Sequence, residues 1–448
     1  MNAFDKLFDI LNLSHQSKKV TGNIAWLVGG HLFRMVVGVV VLAWVARYLG
    51  PDQFGILNYA IGLAALFTAV ATLGMDGVVV RELVKEPEKT RLILGTAYVM
   101  RVAGGLAAVL MAFCLGLSMP SQRSILPLIV LVSLAFLPQS FEVIDLWFQK
   151  NIQSKFTVVA KVFAVLAGGG VKIALVILKA PLILFCVAYV LDFALIALAL
   201  TWIYFIRGER MLSWDWSRRI AGGIFRDCWP LMVSGILVAA YMRIEQILVM
   251  NVLGSYSAGI YYASFKLTEV WAFIPSFILS SVYPALVERR RQDLGIYKKR
   301  LQLAFDLLTG IGFLLAITVC LLAPVIIFLL YGPDYHGAAV ILMIHAWTAV
   351  VVFSGWVRGQ YFLLENINIY NTWCAIIGIA LNMGLAFPLM GWLGAKGAAV
   401  SALIGYTASI YGTSFLFPRL RECASFQTKA FLLPFRLPAL LRNLRNFK

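Results

Sequence analysis

The stretch "RYLGPDQFGILNYA", residues 47–60, places polar and turn-forming residues inside otherwise apolar sequence. About twenty apolar residues, enough to cross a bilayer once, precede it, and apolar sequence resumes after it. A second stretch, "NVLGSYSAGIYYA" at 251–263, aligns with it without gaps. Leu49, Gly50, Gly55 and Ile56 match Leu253, Gly254, Gly259 and Ile260, at an offset of nearly half of the 448 residues. The two stretches therefore indicate an internal repeat of about half the chain.

The composition places the chain in a membrane. Hydrophobic residues make up 61% of the sequence and charged residues only 13%, and the mean hydropathy is +0.86. Soluble domains carry about 25% charged residues. The soluble classes are thereby excluded, and the chain is predicted to be an integral membrane protein.

Apolar segments of membrane-spanning length recur along the whole chain. Each bilayer crossing requires about twenty apolar residues in a helix. Twelve such segments are predicted, at 23–46, 54–75, 92–117, 124–149, 155–178, 181–206, 227–250, 257–287, 301–330, 337–362, 367–389 and 395–418. The predicted fold class is therefore all-α and polytopic.

The basic residues indicate how the helices are oriented. With the N-terminus in the cytoplasm, 27 of the 38 Lys and Arg residues fall in inner segments and 4 in outer turns. Such an excess of inner positive charge is the usual signature of membrane topology. Both termini are predicted to be cytoplasmic. Most of the net charge of +17 then faces the anionic inner leaflet, so no nucleic-acid partner is needed to explain it.

The longest polar interior segment, 207–226, divides the predicted helices into six plus six. Because six is even, both halves enter the membrane in the same orientation, and the repeat is parallel. We predict an N-terminal lobe at 1–206, a cytoplasmic linker at 207–226 and a C-terminal lobe at 227–418, arranged around a central cavity. The stretches 47–53 and 251–256 are the predicted outer turns that correspond in the two lobes.

Both ends of the chain are predicted to lie on the inner membrane surface. Phe4, Leu7, Phe8 and Leu11 follow helical spacing, which is typical of an amphipathic interfacial helix. The tail 419–448 is basic and interleaved with leucines, and it is predicted to lie on the membrane in the same way.

The sequence contains no recognisable catalytic constellation. HExxH, GxSxG, Walker A and DxD patterns are absent, and the six cysteines and four histidines show no metal-ligand spacing. No large loop is available to hold an active site. The sequence thus predicts no enzyme, no metal and no cofactor, and it favours a transporter.

Basic residues within the predicted helices are candidate binding residues. An ionisable group at the bilayer centre costs at least about 2.5–3.5 kcal/mol and usually faces a cavity or a partner. We predict that Arg34, Arg243, Lys266 and Lys172 line a cationic cavity and bind an anionic substrate. Lys161, Lys172 and Lys179 fall on one face of the fifth helix, which also carries Gly168.

Acidic residues within the fourth helix leave two interpretations open. Glu142 and Asp145 share one helical face. They could bind Na⁺ or H⁺ as coupling ions, or they could neutralise a nearby cation such as Arg34 or Lys172. Both residues are therefore candidates for ion coupling and for structural pairing.

Three motifs carry a resemblance to a known family. These are "ARYLGPDQFGILNYA" (46–60), "GMDGVVVRELVK" (74–85) and "LYGPDYHGAAVIL" (330–342). With twelve helices in two parallel lobes, the chain resembles the O-antigen-type lipid-linked oligosaccharide flippases of the multidrug/oligosaccharidyl-lipid/polysaccharide exporter superfamily. The resemblance implies a bacterial inner-membrane protein that moves an undecaprenyl-pyrophosphate-linked glycan by alternating access through a cationic cavity. It is expected to function as a monomer among membrane lipids, with Na⁺ or H⁺ as a possible coupling ion.

Two other functions remain open at this point. A drug antiporter of the same superfamily would be expected to use an acidic cavity for cationic drugs, whereas the central charges here are basic. A glycan polymerase or ligase would be expected to carry a large outer loop, whereas every predicted outer loop is short.

Overall fold

The computed structural model describes residues 15–436, and every regular element within that range is a helix. The first nine α-helices, labelled α1 to α9, are His15–Ala65, Thr68–Thr72, Asp76–Lys85, Thr90–Leu117, Leu126–Ser133, Phe136–Gln139, Val143–Lys150, Ser154–Ile177 and Leu182–Ile206. The remaining eight, α10 to α17, are Arg218–Thr268, Phe273–Gln292, Leu294–Tyr331, Gly337–Leu364, Ile369–Leu393, Ala395–Thr407, Thr413–Leu416 and Arg421–Phe431. A π-helix, Ala408–Gly412, joins α15 to α16.

The number of crossings agrees with the sequence prediction. Within residues 15–436, 10 helical segments are long and apolar enough to span a membrane. Two of them, Trp26–Ala65 and Arg218–Leu279, are 40 and 62 residues long, and each overlaps two of the predicted spans. The predicted all-α polytopic fold with about twelve crossings is therefore confirmed.

Single glycines break the two longest helices at the repeated motif. Gly50 interrupts α1 with φ 69° and ψ 170°, and Gly254 interrupts α10 with φ 83° and ψ 179°. Residues with a Cβ rarely adopt such positive φ angles, whereas glycine does so at little cost. The predicted turns at 47–53 and 251–256 are thus reduced to one residue each, with helix on both sides.

The chain folds into two compact units. Among residues 15–436, unit 1 contains those up to Leu49 together with Ile56–Ile247, and unit 2 contains Gly50–Gly55 together with those from Leu248 onward. Helix α10 begins at Arg218, inside the predicted linker 207–226. The division into lobes at that linker stays a prediction about topology.

Pairs of packed helices build unit 1, and several of these pairs join helices that are not consecutive along the chain. Helix α8 packs on α9, α2 packs on α4, and α3 packs on α7. Close approach of α2 to α4 depends on Gly104, where an added Cβ would lie 2.6 Å from the carbonyl oxygen of Val70. Apolar side chains of α3, α4 and α7 form one buried cluster, and side chains of α7, α8 and α9 form another.

In unit 2 the two repeated glycine motifs pack directly on each other. A Cβ added to Gly55 would lie 2.1 Å from the carbonyl oxygen of Ser255, and a Cβ added to Gly259 would lie 2.0 Å from the carbonyl oxygen of Pro51. Gly55 aligns with Gly259 in the repeat, and Pro51 aligns with Ser255. The contact is thus reciprocal, and only glycine lets the two backbones approach so closely. Asp52 also accepts a hydrogen bond from the Ser255 hydroxyl at 2.8 Å.

Phe54 completes this junction with an aromatic cluster. Its side chain is 0% exposed and packs edge-on against the rings of Tyr262 and Tyr335, with Tyr331 beside them. Such edge-to-face pairs contribute about 0.5–1.5 kcal/mol beyond area burial. The motifs at 46–60, 251–263 and 330–342 therefore meet at one place in unit 2.

The centre of unit 2 is formed by α13, which packs against α12 and α15. Helix α17, in the predicted basic tail, packs on α12 and α16. The predicted N-terminal amphipathic helix at Phe4–Leu11 and the tail after Arg436 lie outside the described residues.

Candidate functional site

A cavity of about 230 Å³ opens within unit 1. Both parts of α1, on either side of the Gly50 break, line it together with α8 and α9. Most of its wall is aliphatic or aromatic. The lining residues that carry a polar or charged group are Arg34, Asn58, Lys172, Tyr189 and Asp192.

Two of the four predicted binding residues lie in this cavity. Arg34 enters from α1, and its Nε donates a hydrogen bond to the carbonyl oxygen of Gly30, one turn earlier, at 3.2 Å. Lys172 enters from α8. Because two cations from different helices face one largely apolar space, the cavity is suited to an anionic group.

Lys172 forms an ion pair with Asp192 of α9, and both side chains are about three-quarters buried. Gly168, one turn before Lys172, makes room for this carboxylate: a Cβ added there would lie 2.1 Å from Asp192 Oδ1. Lys161 likewise forms an ion pair, with Asp145, and Lys179 lies beyond the end of α8 at Ile177. The three lysines predicted on one face of this span therefore do not form a continuous basic surface.

The other two predicted binding residues lie elsewhere. Arg243 lies in α10, where its Nη1 donates to Gln246 Oε1 at 3.4 Å, and it is not among the cavity-lining residues. Lys266 lies in unit 2 and forms an ion pair with Glu269, one turn later, at 2.5 Å. Of the four predicted binding residues, Arg34 and Lys172 are therefore the two that line the cavity in unit 1.

Both ion-coupling candidates lie outside the cavity lining. Asp145 accepts a hydrogen bond from Lys161 Nζ at 2.7 Å, which is a structural pairing of the kind that the sequence left open. The other reading, in which Glu142 or Asp145 binds a coupling ion, stays a prediction.

Sequence reasoning missed which charges pair within the membrane. Arg101, 2% exposed, pairs with Asp76, and Lys172 pairs with Asp192. The sequence predicted neither pair. Depth along neighbouring helices could have indicated some of these pairs. Asp145 lies five residues before the end of α7, and Lys161 lies seven residues after the start of α8. At 1.5 Å per residue the two side chains therefore lie at similar depth.

The arrangement can bind an anion but offers no catalytic group set. Counting Arg34, Lys172 and Asp192 as ionised, the lining carries one net positive charge. No group of His, Cys, Asp and Glu residues that could hold a metal occurs within residues 15–436. The lining thus combines this positive charge with apolar side chains.

Solved membrane transporters share this fold at low sequence identity. A multidrug resistance MATE family transporter of the MOP superfamily, in an inward-facing conformation, is 14% identical with a TM-score of 0.66, and the match covers 88% of this chain and 96% of that one. A MOP superfamily transporter from Pyrococcus furiosus, described as having a binding pocket of reverse polarity, is 14% identical with a TM-score of 0.59, covering 91% and 96%. The lipid II flippase MurJ, in an inward closed conformation, is 14% identical with a TM-score of 0.58, covering 93% of each chain. The fold is therefore that of a MOP superfamily transporter.

A family model places the chain more narrowly. The model described as polysaccharide biosynthesis protein matches residues 44–340, which is well over half of the sequence. The protein therefore belongs to the polysaccharide biosynthesis protein family, and it shares the fold of solved MOP superfamily transporters. The resemblance seen in the three sequence motifs is confirmed at this level. A search of the curated proteins found no match.

Proposed function

We propose that the protein translocates an undecaprenyl-pyrophosphate-linked oligosaccharide across the bacterial inner membrane by alternating access, for surface polysaccharide biosynthesis. A substrate of this kind combines a diphosphate, a hydrophilic glycan and a long apolar chain. The protein handles the diphosphate with cations inside the membrane and returns to its empty state after the glycan is released outside. It works as a monomer, with both termini in the cytoplasm.

The cavity of unit 1 is the observation that carries this proposal. Arg34 and Lys172 face the same space from different helices, and most of the remaining lining is apolar. Arginine can bind phosphate oxygens with paired, charge-assisted hydrogen bonds, and lysine supplies a compact point charge. The family match to polysaccharide biosynthesis proteins supports a glycan cargo, and the similar fold of a lipid II flippase supports a lipid-linked one.

A cation-coupled drug antiporter is the second candidate. It is favoured by the carboxylate of Asp192 in the cavity and by the fold shared with a multidrug resistance transporter. The net positive charge of the lining opposes it, because a cationic drug would be repelled by Arg34. Expression in a pump-deficient strain distinguishes the two functions: unchanged drug sensitivity supports the flippase, and raised resistance to cationic drugs supports the antiporter.

Substitutions at Arg34 test the flippase function. Losing one charge-assisted contact in a partly hydrated cavity costs about 1.5–3 kcal/mol, which corresponds to a roughly 10- to 150-fold weaker interaction. We expect Arg34→Ala to block glycan export in a flippase-null strain, Arg34→Lys to restore it partly, and Arg34→Glu to give none. Surface polysaccharide is the measurement, with the membrane abundance of each variant determined in parallel.

Lys298→Ala is the matched control, since Lys298 is a half-exposed cation of unit 2 that pairs with Glu422. This variant should export normally. Normal export by Arg34→Glu at normal abundance would contradict a binding role for Arg34. Failure of Arg34→Ala to accumulate would instead show that the charge is structural. The same series applies to Arg243, the binding residue predicted in the seventh span.

A further inference from the structure

The cavity holds a carboxylate that the proposed function has not used. Asp192 lies within the lining and is already paired with Lys172, one of the two cations that would bind the substrate. An anionic substrate and Asp192 therefore compete for the same ammonium group. The inference drawn from this competition rests on the proposed function.

We propose that Asp192 is a proton-accepting site linked to substrate binding: it holds Lys172 in the empty cavity and takes up one proton when the substrate's diphosphate takes Lys172. In this step a solvent hydronium ion gives up a proton, so that one of its O–H bonds breaks and one O–H bond forms on a carboxylate oxygen of Asp192. The Lys172 ammonium keeps its three protons and moves its hydrogen bond from Asp192 to a phosphate oxygen. No other covalent bond changes.

Charge balance within the cavity supports this assignment. The empty lining contains Arg34 and Lys172 as cations and Asp192 as an anion. A diphosphate diester carries two negative charges. With Asp192 ionised, the loaded cavity would hold a net negative charge in a low-dielectric space, which is costly. With Asp192 protonated, two cations meet two negative charges, and the loaded cavity is neutral.

The surroundings of Asp192 make it the group that responds. Arg34 from α1, Lys172 from α8 and Tyr189 on its own helix are the titratable side chains that line the cavity with it. Arginine stays protonated in proteins. Glu142 and the Lys161–Asp145 pair lie on elements that pack against α9, but none of the three lines the cavity. Gly168 provides the space that holds the carboxylate beside Lys172. When Lys172 changes its partner, Asp192 is therefore the group in the lining whose protonation changes.

The exchange also gives a route to release. When the substrate leaves, Lys172 returns to Asp192, and the carboxyl loses its proton to water. Asp192 thus acts as an internal competitor that keeps Lys172 from holding the diphosphate too tightly. A carrier requires such a limit, because binding must be weak enough for the substrate to leave.

Calorimetry on the purified full-length protein in nanodiscs tests the proposal. The ligand is farnesyl-diphospho-N-acetylglucosamine, whose diphosphate is esterified at both ends, so that its two acidic groups are ionised and do not titrate near neutral pH. Titrations in buffers of different ionisation enthalpy give the number of protons taken up per ligand bound. We expect about one proton for the wild type near neutral pH, and weaker binding as the pH rises.

Two variants separate the roles of the pair. Asp192→Asn retains the size of the side chain and should bind the ligand without proton uptake. Lys172→Ala removes the ammonium group for which the diphosphate and Asp192 compete. This variant should bind the ligand at least about tenfold more weakly. Asp306→Asn, which changes a carboxylate of α12 in unit 2, should behave as the wild type.

The outcomes distinguish this inference from the function on which it rests. Binding by the wild type without proton uptake, or uptake that persists in Asp192→Asn, overturns the role of Asp192 and leaves the flippase proposal standing. Absence of any binding of the diphosphate ligand by folded wild-type protein overturns both.

Discussion

At the scale of single residues, the repeated glycines explain why the apolar chain is interrupted at 47–60. Gly50 and Gly254 break their helices at positive φ. Gly55 and Gly259 then bring the two motifs into backbone contact within unit 2. The glycines that interrupt ordinary membrane-helix sequence are therefore those that form a junction.

Gly55 gives a direct test of that contact. We expect Gly55→Ala to lower the melting temperature of the detergent-solubilised protein clearly, because the new Cβ would lie 2.1 Å from the carbonyl oxygen of Ser255. Backbone atoms cannot move aside cheaply, and overpacking of this kind costs about 1–3 kcal/mol. Size-exclusion melting curves of the fluorescently tagged protein supply the measurement.

Gly77→Ala is the control for this substitution. Gly77 lies in α3 with nothing within 4 Å of an added Cβ, so alanine should be neutral or slightly stabilising there. Equal melting temperatures for Gly55→Ala and the wild type would mean that the two motifs are not in tight contact.

At the scale of elements, buried polar groups hold the helices of unit 2 together. Arg358 of α13, 4% exposed, donates to the carbonyl oxygens of Ser409 and Ile410 at 2.8 and 2.9 Å. Both acceptors lie in the π-helix Ala408–Gly412. A π-helix shifts the regular hydrogen-bond ladder, and the guanidinium here bonds to two of its carbonyl groups. This membrane-embedded arginine therefore has a structural role.

A second link joins the end of α11 to the segment after α13. Arg290 donates two hydrogen bonds to Glu365, both at 2.9 Å, and the Tyr297 hydroxyl donates to the same carboxylate at 3.1 Å. The Arg290 guanidinium holds the pKa of Glu365 below its usual value of 4.5. The folded state therefore favours the ionised carboxylate.

The sign of the pH dependence follows from this direction. A lowered pKa contributes stability above the usual value of 4.5, and that stability is lost as the pH falls through the folded-state pKa. We expect Glu365→Gln to lower the melting temperature modestly at pH 7, by an amount equivalent to about 0.2–1 kcal/mol for a partly exposed pair. The difference from the wild type should shrink as the pH falls below 4.5.

Glu288→Gln serves as the comparison, since Glu288 is an exposed carboxylate on the same helix as Arg290. Its melting curves should follow the wild type at every pH. A stability difference for Glu365→Gln that stays constant down to pH 3 would show that the ion pair does not act through the ionised carboxylate.

At the scale of the whole molecule, the distribution of basic residues predicts the topology. Of the 38 Lys and Arg residues, 27 lie in segments assigned to the cytoplasm and 4 in outer turns, so both termini should be cytoplasmic. A green fluorescent protein fused after Lys448 should fluoresce, and alkaline phosphatase at the same position should be inactive. Fusions in the predicted outer turn after Lys179 should give the opposite pattern. An active phosphatase at the C-terminus would place that terminus outside the cytoplasm and contradict the predicted topology.

The sequence by itself determined the class of the protein and the number of crossings. Hydropathy and loop charge act residue by residue along the chain, and their transfer free energies sum over a segment whatever its neighbours are. The positions of Gly50, Gly55, Gly254 and Gly259 also indicated the internal repeat and the two places where the helices break. The family followed from motifs that are local in sequence.

Only the tertiary structure decided which charges meet. Lys172 and Lys161 share a helical face in α8, yet one pairs with Asp192 of α9 and the other with Asp145 of α7. Arg34 shares a cavity with Lys172, whereas Arg243 does not line it. Partners are fixed by the rotation and depth of each helix against its neighbours, and packing sets both through contacts between residues distant in sequence. A low-dielectric interior makes the result decisive, because each buried charge requires a partner.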